Sequence, residues 1–540
     1  MPNPSNPYPN PQLTAAIGPA SAGPGGGGRS ADGRTPIARA GNGPWWMWVL
    51  LLILVAAVVV RQQWPKPTEP DFAARAAAGR IKYPAVSIEY TLPAKMYFGL
   101  KGLSPDPNLP RMLQESVDSA AGFADLWPQK PSFLPAVRPK PDAPPPPAHA
   151  RLYAAILAAD TLNPGEAEKR LDRLELQLDP ESPLVADVAL LRRMYAADAP
   201  PAAEIAAAME PADREAFEQR HGLFARLALS FGDDAAAARR DAASSGLTML
   251  LTIMFFGGAA GLAILAGFAV LIYFVILALQ GRLRRRFVPP GRSAGDAGGD
   301  AGPGQGVWLE MVSLFVGGFL FIGLAGDLLG AAGVSWAGFL SLGLQWLLVL
   351  VIFWPVVRGM SWERWRGEIG WHSGRGVARE VGAGLLVYLA CLPIYFFTAF
   401  LLVIAMLIWS ALSGTEPARP IEDNKVFEIA SSGNPVVLIL IFMLASVWAP
   451  IVEESIFRGA LYRRLRLGLP FIGAALISAA LFSIMHGYAV VQLVLVGVLG
   501  LMFAIIREWR GSIIGAAAVH CVHNTVVFTF AVLLLGQAAS

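Results

Sequence analysis

The sequence predicts an all-α fold: a polytopic transmembrane helix bundle of about nine spans, with an N-terminal disordered tail and an extracytoplasmic, mostly helical soluble domain. Three observations predict it. Hydrophobic residues make up 54% of the 540 positions and charged residues only 15%, giving a mean hydropathy of +0.48 that soluble domains rarely reach. The apolar residues also gather in runs long enough to cross a hydrocarbon core of roughly 30 Å. Finally, arginines cluster beside those runs, as topology signals do.

Residues 1–44 are rich in Pro, Gly, Ser and Asn ("GPASAGPGGGGRSADGRTP") and cannot bury a core, so they read as a disordered cytoplasmic tail. "WWMWVLLLILVAAVVV" follows, ending at Arg61. The long tail before it and the lack of a small-residue cleavage site after it favour an uncleaved anchor over 45–61. Residues 62–245 read as an extracytoplasmic soluble, partly helical domain. Its first half looks irregular, with "RPKPDAPPPPAHA" (Arg138–Ala150) as a stiff linker, and Arg151–Ala243 carries a helical pattern broken at Asn163-Pro164 and Asp179-Pro180.

Residues 246–434 read as transmembrane helices with basic cytoplasmic loops, and 435–540 as the transmembrane region that carries the chemistry. Spans are expected to start near Leu247, Val307, Val334, Val381, Pro435, Phe471, Val490 and Ile513. The basic loops Gly281–Phe287, Arg358–Glu368, Tyr462–Arg466 and Arg507–Gly511 fall on one side if the spans alternate. That places the protein in the cell membrane with its N-terminus cytoplasmic and its C-terminus extracytoplasmic. The glycines of "GGAAGLAILAG" (Gly257–Gly267) are expected to let helices approach closely. Trp362, Trp365 and Trp371 are expected to anchor an amphipathic segment at the membrane surface.

A net charge of +3 is too small to point to nucleic acid. The two cysteines, Cys391 and Cys521, offer neither a disulfide framework nor a CxxC zinc knuckle.

"APIVEESIFRGALYRRLR" (Ala449–Arg466) sets two adjacent carboxylates at the end of an apolar run. Charge inside a span is costly and usually faces a bundle interior or a water-filled cavity. Glu454 and Arg458 are four apart with the acid first, the favourable order for an ion pair. Glu453 lies about 100° around the helix and shares no such partner. On their own the two acids could simply end a helix. "ALFSIMHGY" then places Phe482 and His486 four apart, and "AAAVHCVHNTVVF" does the same for His520 and Asn524. Glu453 lies about 15 residues before the turn near Gly468 and His486 about 18 after it, so an antiparallel hairpin brings them to similar depth. His520, about nine residues past Gly511, is expected to be shallower.

Glu453-Glu454-x-x-x-Arg458, Phe482-x-x-x-His486 and His520-x-x-x-Asn524, in this order, resemble the three motifs of the CPBP intramembrane proteases. That group includes CAAX-prenyl endopeptidases and bacterial relatives linked to bacteriocin processing or self-immunity. The resemblance runs from about Leu438 to Val532 and leaves residues 1–245 and the extra His523 unaccounted for. It implies an intramembrane endopeptidase acting on a membrane-embedded or membrane-proximal peptide. Glu453 and His486 would activate a water, His520 and Asn524 would donate to the oxyanion, and Glu454 with Arg458 would hold the helix end. No cofactor is required by that scheme. A competing chemistry uses Glu453, His486 and His520 as zinc ligands, although no HExxH motif is present.

Two other classes compete with a protease. In a non-enzymatic scaffold or self-immunity protein the same polar groups would only hold helices together. A transporter would use the carboxylates as a proton relay, but no internal repeat supports it. Besides the bilayer and a peptide, residues 62–245 are expected to recruit a substrate or protein partner.

Overall fold

Apolar runs punctuated by proline, glycine and arginine give helices throughout the computed structural model, which describes residues 44–63, 84–101, 103, 106, 108–127, 148–287, 304–334, 336–413 and 435–539. The expected tail and most of the Pro-rich linker lie outside these residues. Among the described residues there is no strand. In chain order the helices are α1 Trp46–Gln63, α2 Pro84–Lys101, α3 Leu109–Ala120, α4 Ala148–Thr161, α5 Pro164–Glu175, α6 Leu184–Tyr195, α7 Ala202–Ala207, α8 Pro211–His221, α9 Leu223–Leu229 and α10 Ala237–Leu279. There follow α11 Val307–Ala331, α12 Ala337–Val357, α13 Trp362–Ile369, α14 Val377–Ser413, α15 Pro435–Leu465, α16 Phe471–Ile484, α17 Val490–Arg510 and α18 Ile514–Ala539.

Eight of these are long and apolar enough to cross a membrane: α1, α10, α11, α12, α14, α15, α17 and α18. The protein is therefore a multi-pass membrane protein. The sequence suggested about nine spans. The ninth candidate, α16, is apolar but only 14 residues long, because the chain turns at Gly487, whose φ of +65° stops the helix early.

Two apolar cores form. One lies among the membrane helices; the other gathers residues of α2–α10 around α4, whose residues from His149 to Ala159 are all buried. The stretch expected to be irregular contains α2 and α3. Tyr90, Ala94, Tyr97 and Phe98 recur at helical spacing and join this second core, a stripe that Pro93 obscured in the sequence. Buried ion pairs tie the region together: Arg170 to Asp118, and Arg239 to Asp160 at 2.6 Å. Asn163 caps α5 by accepting from the Glu166 amide at 3.0 Å.

Helix α10 runs unbroken for 43 residues from this second core into the membrane set. Gly246 lies against the α2 backbone at Lys95, and within the Gly257–Gly267 run only Gly267 meets a neighbour, the α14 backbone at Leu389. Gly257, Gly258 and Gly261 face open space, so the expected close packing is confined to one point.

The four basic loops meet at one end of the bundle. The Glu508 backbone carbonyl accepts from the amides of Arg286 and Phe287, and its side chain accepts from Arg466 at 3.0 Å. Glu368 binds Arg463 at 2.9 Å, and its carbonyl accepts from Arg507 at 3.0 Å. The tryptophans nearby are not all anchors. Trp362 is exposed, but Trp365 is buried and donates to the Ile352 carbonyl, and Trp371 donates to Ser455 Oγ at 2.9 Å.

Candidate active site

Helix α15 is the axis of the site, packed against α11, α13, α16, α17 and α18. It is not a plain α-helix. Residues Leu444–Trp448 and Glu454–Leu461 wind as π-helix, with an α-helical turn between them. Such π segments are rare and concentrate at functional sites, because they widen a helix and re-aim its side chains. Pro450 contributes directly. The Ala449 amide reaches back five residues to the Leu444 carbonyl. The next amide in that register belongs to Pro450, which has no N–H, so the Ala445 carbonyl loses its helical donor. Asn524 Nδ2 on α18 donates to that carbonyl at 2.7 Å.

Glu454 and Arg458 are completely buried and joined at 3.1 Å between Oε1 and Nη1. Arg458 also donates to the Gly500 carbonyl at 3.0 Å and lies over the Phe482 and Phe503 rings, 4.3 and 5.0 Å from their centroids. A desolvated guanidinium between aromatic faces and a carboxylate is a strongly held cation.

His520 is buried, stacks on Phe503 at 4.9 Å, and sets Nδ1 3.1 Å from Glu454 Oε1. The carboxylate can only accept here, so Nδ1 carries the proton and Nε2 faces the other way. It lies 3.9 Å from Glu453 Oε2. That oxygen is buried and has no hydrogen-bond partner among the described residues, as is also true of Glu454 Oε2, Ser446 Oγ and Trp448 Nε1. Native proteins leave few such atoms unpaired, and buried water commonly partners those that no protein group reaches.

His486 sits past the end of α16 rather than on its face. Its Nδ1 stands 2.8 Å from the Phe482 carbonyl. A carbonyl only accepts, so this imidazole too is protonated at Nδ1 and presents Nε2. Phe482 lies between the two histidines, edge-on to His486 at 4.8 Å and to His520 at 5.9 Å. Tyr488 closes the other side of His486 at 5.6 Å; burial, and then the Glu453 charge, raise its phenol above the ordinary tyrosine value.

The residues singled out from sequence thus share one neighbourhood spanning α15, α16 and α18. Asn524 differs from expectation in where its amide goes, to a backbone carbonyl that Pro450 strands. His523 points away: its Nδ1 is 3.1 Å from Tyr388 Oη, and it lines a small cavity with Tyr395 and Cys391. Sequence reasoning read Trp371 only as a surface anchor and missed Phe503, Tyr488 and the Gly500 carbonyl, which carry no sequence signal beyond an aromatic or glycine near apolar runs. As for zinc, no group of three His, Cys, Asp or Glu is gathered to hold a metal among the described residues. Glu453, His486 and His520 are not drawn together as such a group.

Residues 435–526 match the family model of the Rce1-like type II CAAX prenyl endopeptidases. This stretch is similar to the Rce1-like domain. It covers under a fifth of the chain, from the start of α15 into α18, and contains all six residues of the site. No curated protein and no solved structure matches the chain. The Rce1-like domain leaves α1 to α14 outside it, including α11, which packs on the π-helical part of α15.

Proposed function

We propose that the protein is an intramembrane endopeptidase that hydrolyses a peptide bond in a membrane-associated protein or peptide, with the CAAX type as the substrate class to try first. The observation that carries this reading is the Glu453 carboxylate: Oε2 is buried without a hydrogen-bond partner, 3.9 Å from His520 Nε2. Those two atoms, both acceptors when His520 is neutral, suit a water that donates to each.

In this reading Glu453 takes one proton of that water, with His486 Nε2 beside it to relay that proton, as the water oxygen attacks the scissile carbonyl carbon. The carbon–nitrogen bond then breaks, and the proton passes to the departing amine. His520 Nε2, an acceptor while Nδ1 carries the ring proton, holds the water until it attacks. In a dry site the free amide hydrogen of Asn524 is an effective donor to the developing oxyanion. Glu454 fixes the His520 ring, and Arg458 fixes Glu454. Asn524 acts first as a helix brace and has its second amide hydrogen left for substrate.

The test is cleavage by the full chain in proteoliposomes, using a farnesylated Cys-aliphatic-aliphatic-X peptide and unmodified membrane-inserted fluorogenic peptides. Wild type should cut, and Glu453→Gln and His486→Ala should not. Retained cleavage by either variant at wild-type rate removes the mechanism. Running the same assay with and without chelator, beside metal analysis of the pure protein, decides whether a metal takes part. A scaffold or self-immunity role predicts no cleavage at all.

A further inference from the structure

The loop that carries His486 is held by a helix outside the Rce1-like domain. Helix α16 ends after 14 residues, and helix ends leave backbone carbonyls without partners. The Met485 carbonyl, directly before His486, accepts from Gln62 Nε2 at 3.1 Å. Gln62 is the penultimate residue of α1, more than four hundred positions earlier in the chain. Its amide lies flat against the turn: a Cβ at Gly487 would fall 2.8 Å from Gln62 Cδ and 2.9 Å from Nε2. The residue before it fixes where α1 ends. Arg61 forms a two-pronged ion pair with Asp327 of α11, at 2.7 and 3.0 Å. Helix α11 in turn packs on the π-helical Glu454–Leu461 segment. One chain of contacts therefore runs from the carboxylate helix through α11 and α1 to the loop of His486.

We propose that Gln62 is a positioning residue for His486, and that α1 belongs to the catalytic unit as well as tethering the chain to the membrane. Gln62 touches neither substrate nor water. Its amide supplies the donor that α16 lacks, and so fixes the Met485–His486 peptide and the direction of His486 Nε2. The proposal rests on the reading of His486 as a water-activating imidazole.

The experiment uses the full chain in proteoliposomes with the peptide that the wild type cleaves, and Glu453→Gln as reference. Gln62→Leu should lower kcat by roughly tenfold to a hundredfold, the usual consequence of a catalytic group displaced by about 1 Å, with KM little changed. Gln62→Glu keeps the shape but, when ionised, loses the donor. It should match Gln62→Leu at high pH, and its rate relative to wild type should climb as the pH falls and the carboxyl regains an O–H. A purely structural contact would not give that pH-dependent rescue.

Hydrogen exchange of the 485–489 amides in detergent reads the contact independently of activity, and Gln62→Leu should speed it there without loosening α15. Wild-type kcat in Gln62→Leu, or unchanged exchange in that loop, overturns the proposal. If Glu453→Gln still cleaves at the wild-type rate, the proteolytic reading falls instead. The exchange data then still decide whether Gln62 holds the loop.

Discussion

Glu454 and His520 share a single carboxylate oxygen with Arg458: Oε1 of Glu454 lies 3.1 Å from His520 Nδ1 and 3.1 Å from Arg458 Nη1. One buried atom therefore joins α15 to α18 and sets which nitrogen of His520 is protonated. Its neighbour Glu453 shares none of these bonds, although the two glutamates are adjacent.

That division predicts opposite phenotypes. Glu454→Leu strands a fully buried guanidinium, and breaking a buried pair typically costs about 3–5 kcal/mol. The melting temperature in detergent should drop sharply, and Glu454→Leu combined with Arg458→Leu should recover part of the loss. Glu453→Gln should leave the melting temperature near wild type while cutting the rate by the 10²- to 10⁴-fold typical of a lost general base. Equal destabilisation by the two single variants would remove the distinction.

The Asn524–Ala445 bond gives a second test. Asn524→Leu leaves the Ala445 carbonyl without a donor, at a cost of about 1–3 kcal/mol for a buried acceptor. Pro450→Ala restores an amide in the register that serves that carbonyl. In the double variant the cost of Asn524→Leu should shrink, as a double-mutant cycle on melting temperature would read. A double variant that is stable but inactive would assign Asn524 a direct part in turnover as well. Strict additivity would refute the link to Pro450.

The distribution of successes between sequence and structure has a physical cause. Glu454 with Arg458 was legible because an i,i+4 pair is a local geometric fact, and apolar runs declare membrane helices by length alone. The π-helical winding of α15 was not legible. It depends on where Asn524 and Ser478 reach the carbonyls of Ala445 and Phe457 from other helices. The position of His486 beyond the helix was hidden for a similar reason, since "MHGY" turns only because Gly487 is held at positive φ against Gln62. His520 looked too shallow by residue counting. The chain before it is drawn inward, with Ile513 bonded to the Gly370 carbonyl and Ser512 to the His372 carbonyl. Long-range contacts of this kind leave no periodic trace.

The soluble region should loosen in acid. His149 and His221 lie 5.7 Å apart in its core, beside Tyr153, with His221 bonded to Asp187 at 2.8 Å and Arg220 bonded to the same carboxylate. Burial, then the His221 charge, push the His149 imidazole down from 6.5 to about 4. Between those values the unfolded chain binds more protons than the folded one, so this stability is complete above pH 6.5 and is lost as the pH falls toward 4. The shift corresponds to roughly 3 kcal/mol. Burial opposes ionisation of Asp187, but bonds from His221 and Arg220 outweigh it and hold the carboxyl below its usual value. Its contribution is also lost in acid, at lower pH. Hydrogen exchange in α4 and α8 should accelerate from pH 7 to pH 5, and His149→Phe should flatten that dependence. Exchange that ignores pH across this window would contradict the assignment.

Helix α10 and the bonded arginine loops together predict an orientation. The helix begins in the soluble core, with Arg239 on Asp160, and ends 43 residues later at the Gly281–Phe287 loop. At about 1.5 Å per residue that length exceeds a bilayer's hydrocarbon thickness twofold, so the core around α4 and the basic end are predicted to lie on opposite sides of the membrane. Clustered arginines favour the cytoplasm, and on that rule residues 148–236 are predicted to lie outside. In intact cells, with Cys391 and Cys521 replaced by serine, a membrane-impermeant maleimide should label Glu181→Cys and not Arg284→Cys. In inverted vesicles the pattern should reverse. Labelling of both from one side would mean that α10 does not cross, and the orientation of every later helix would have to be redrawn.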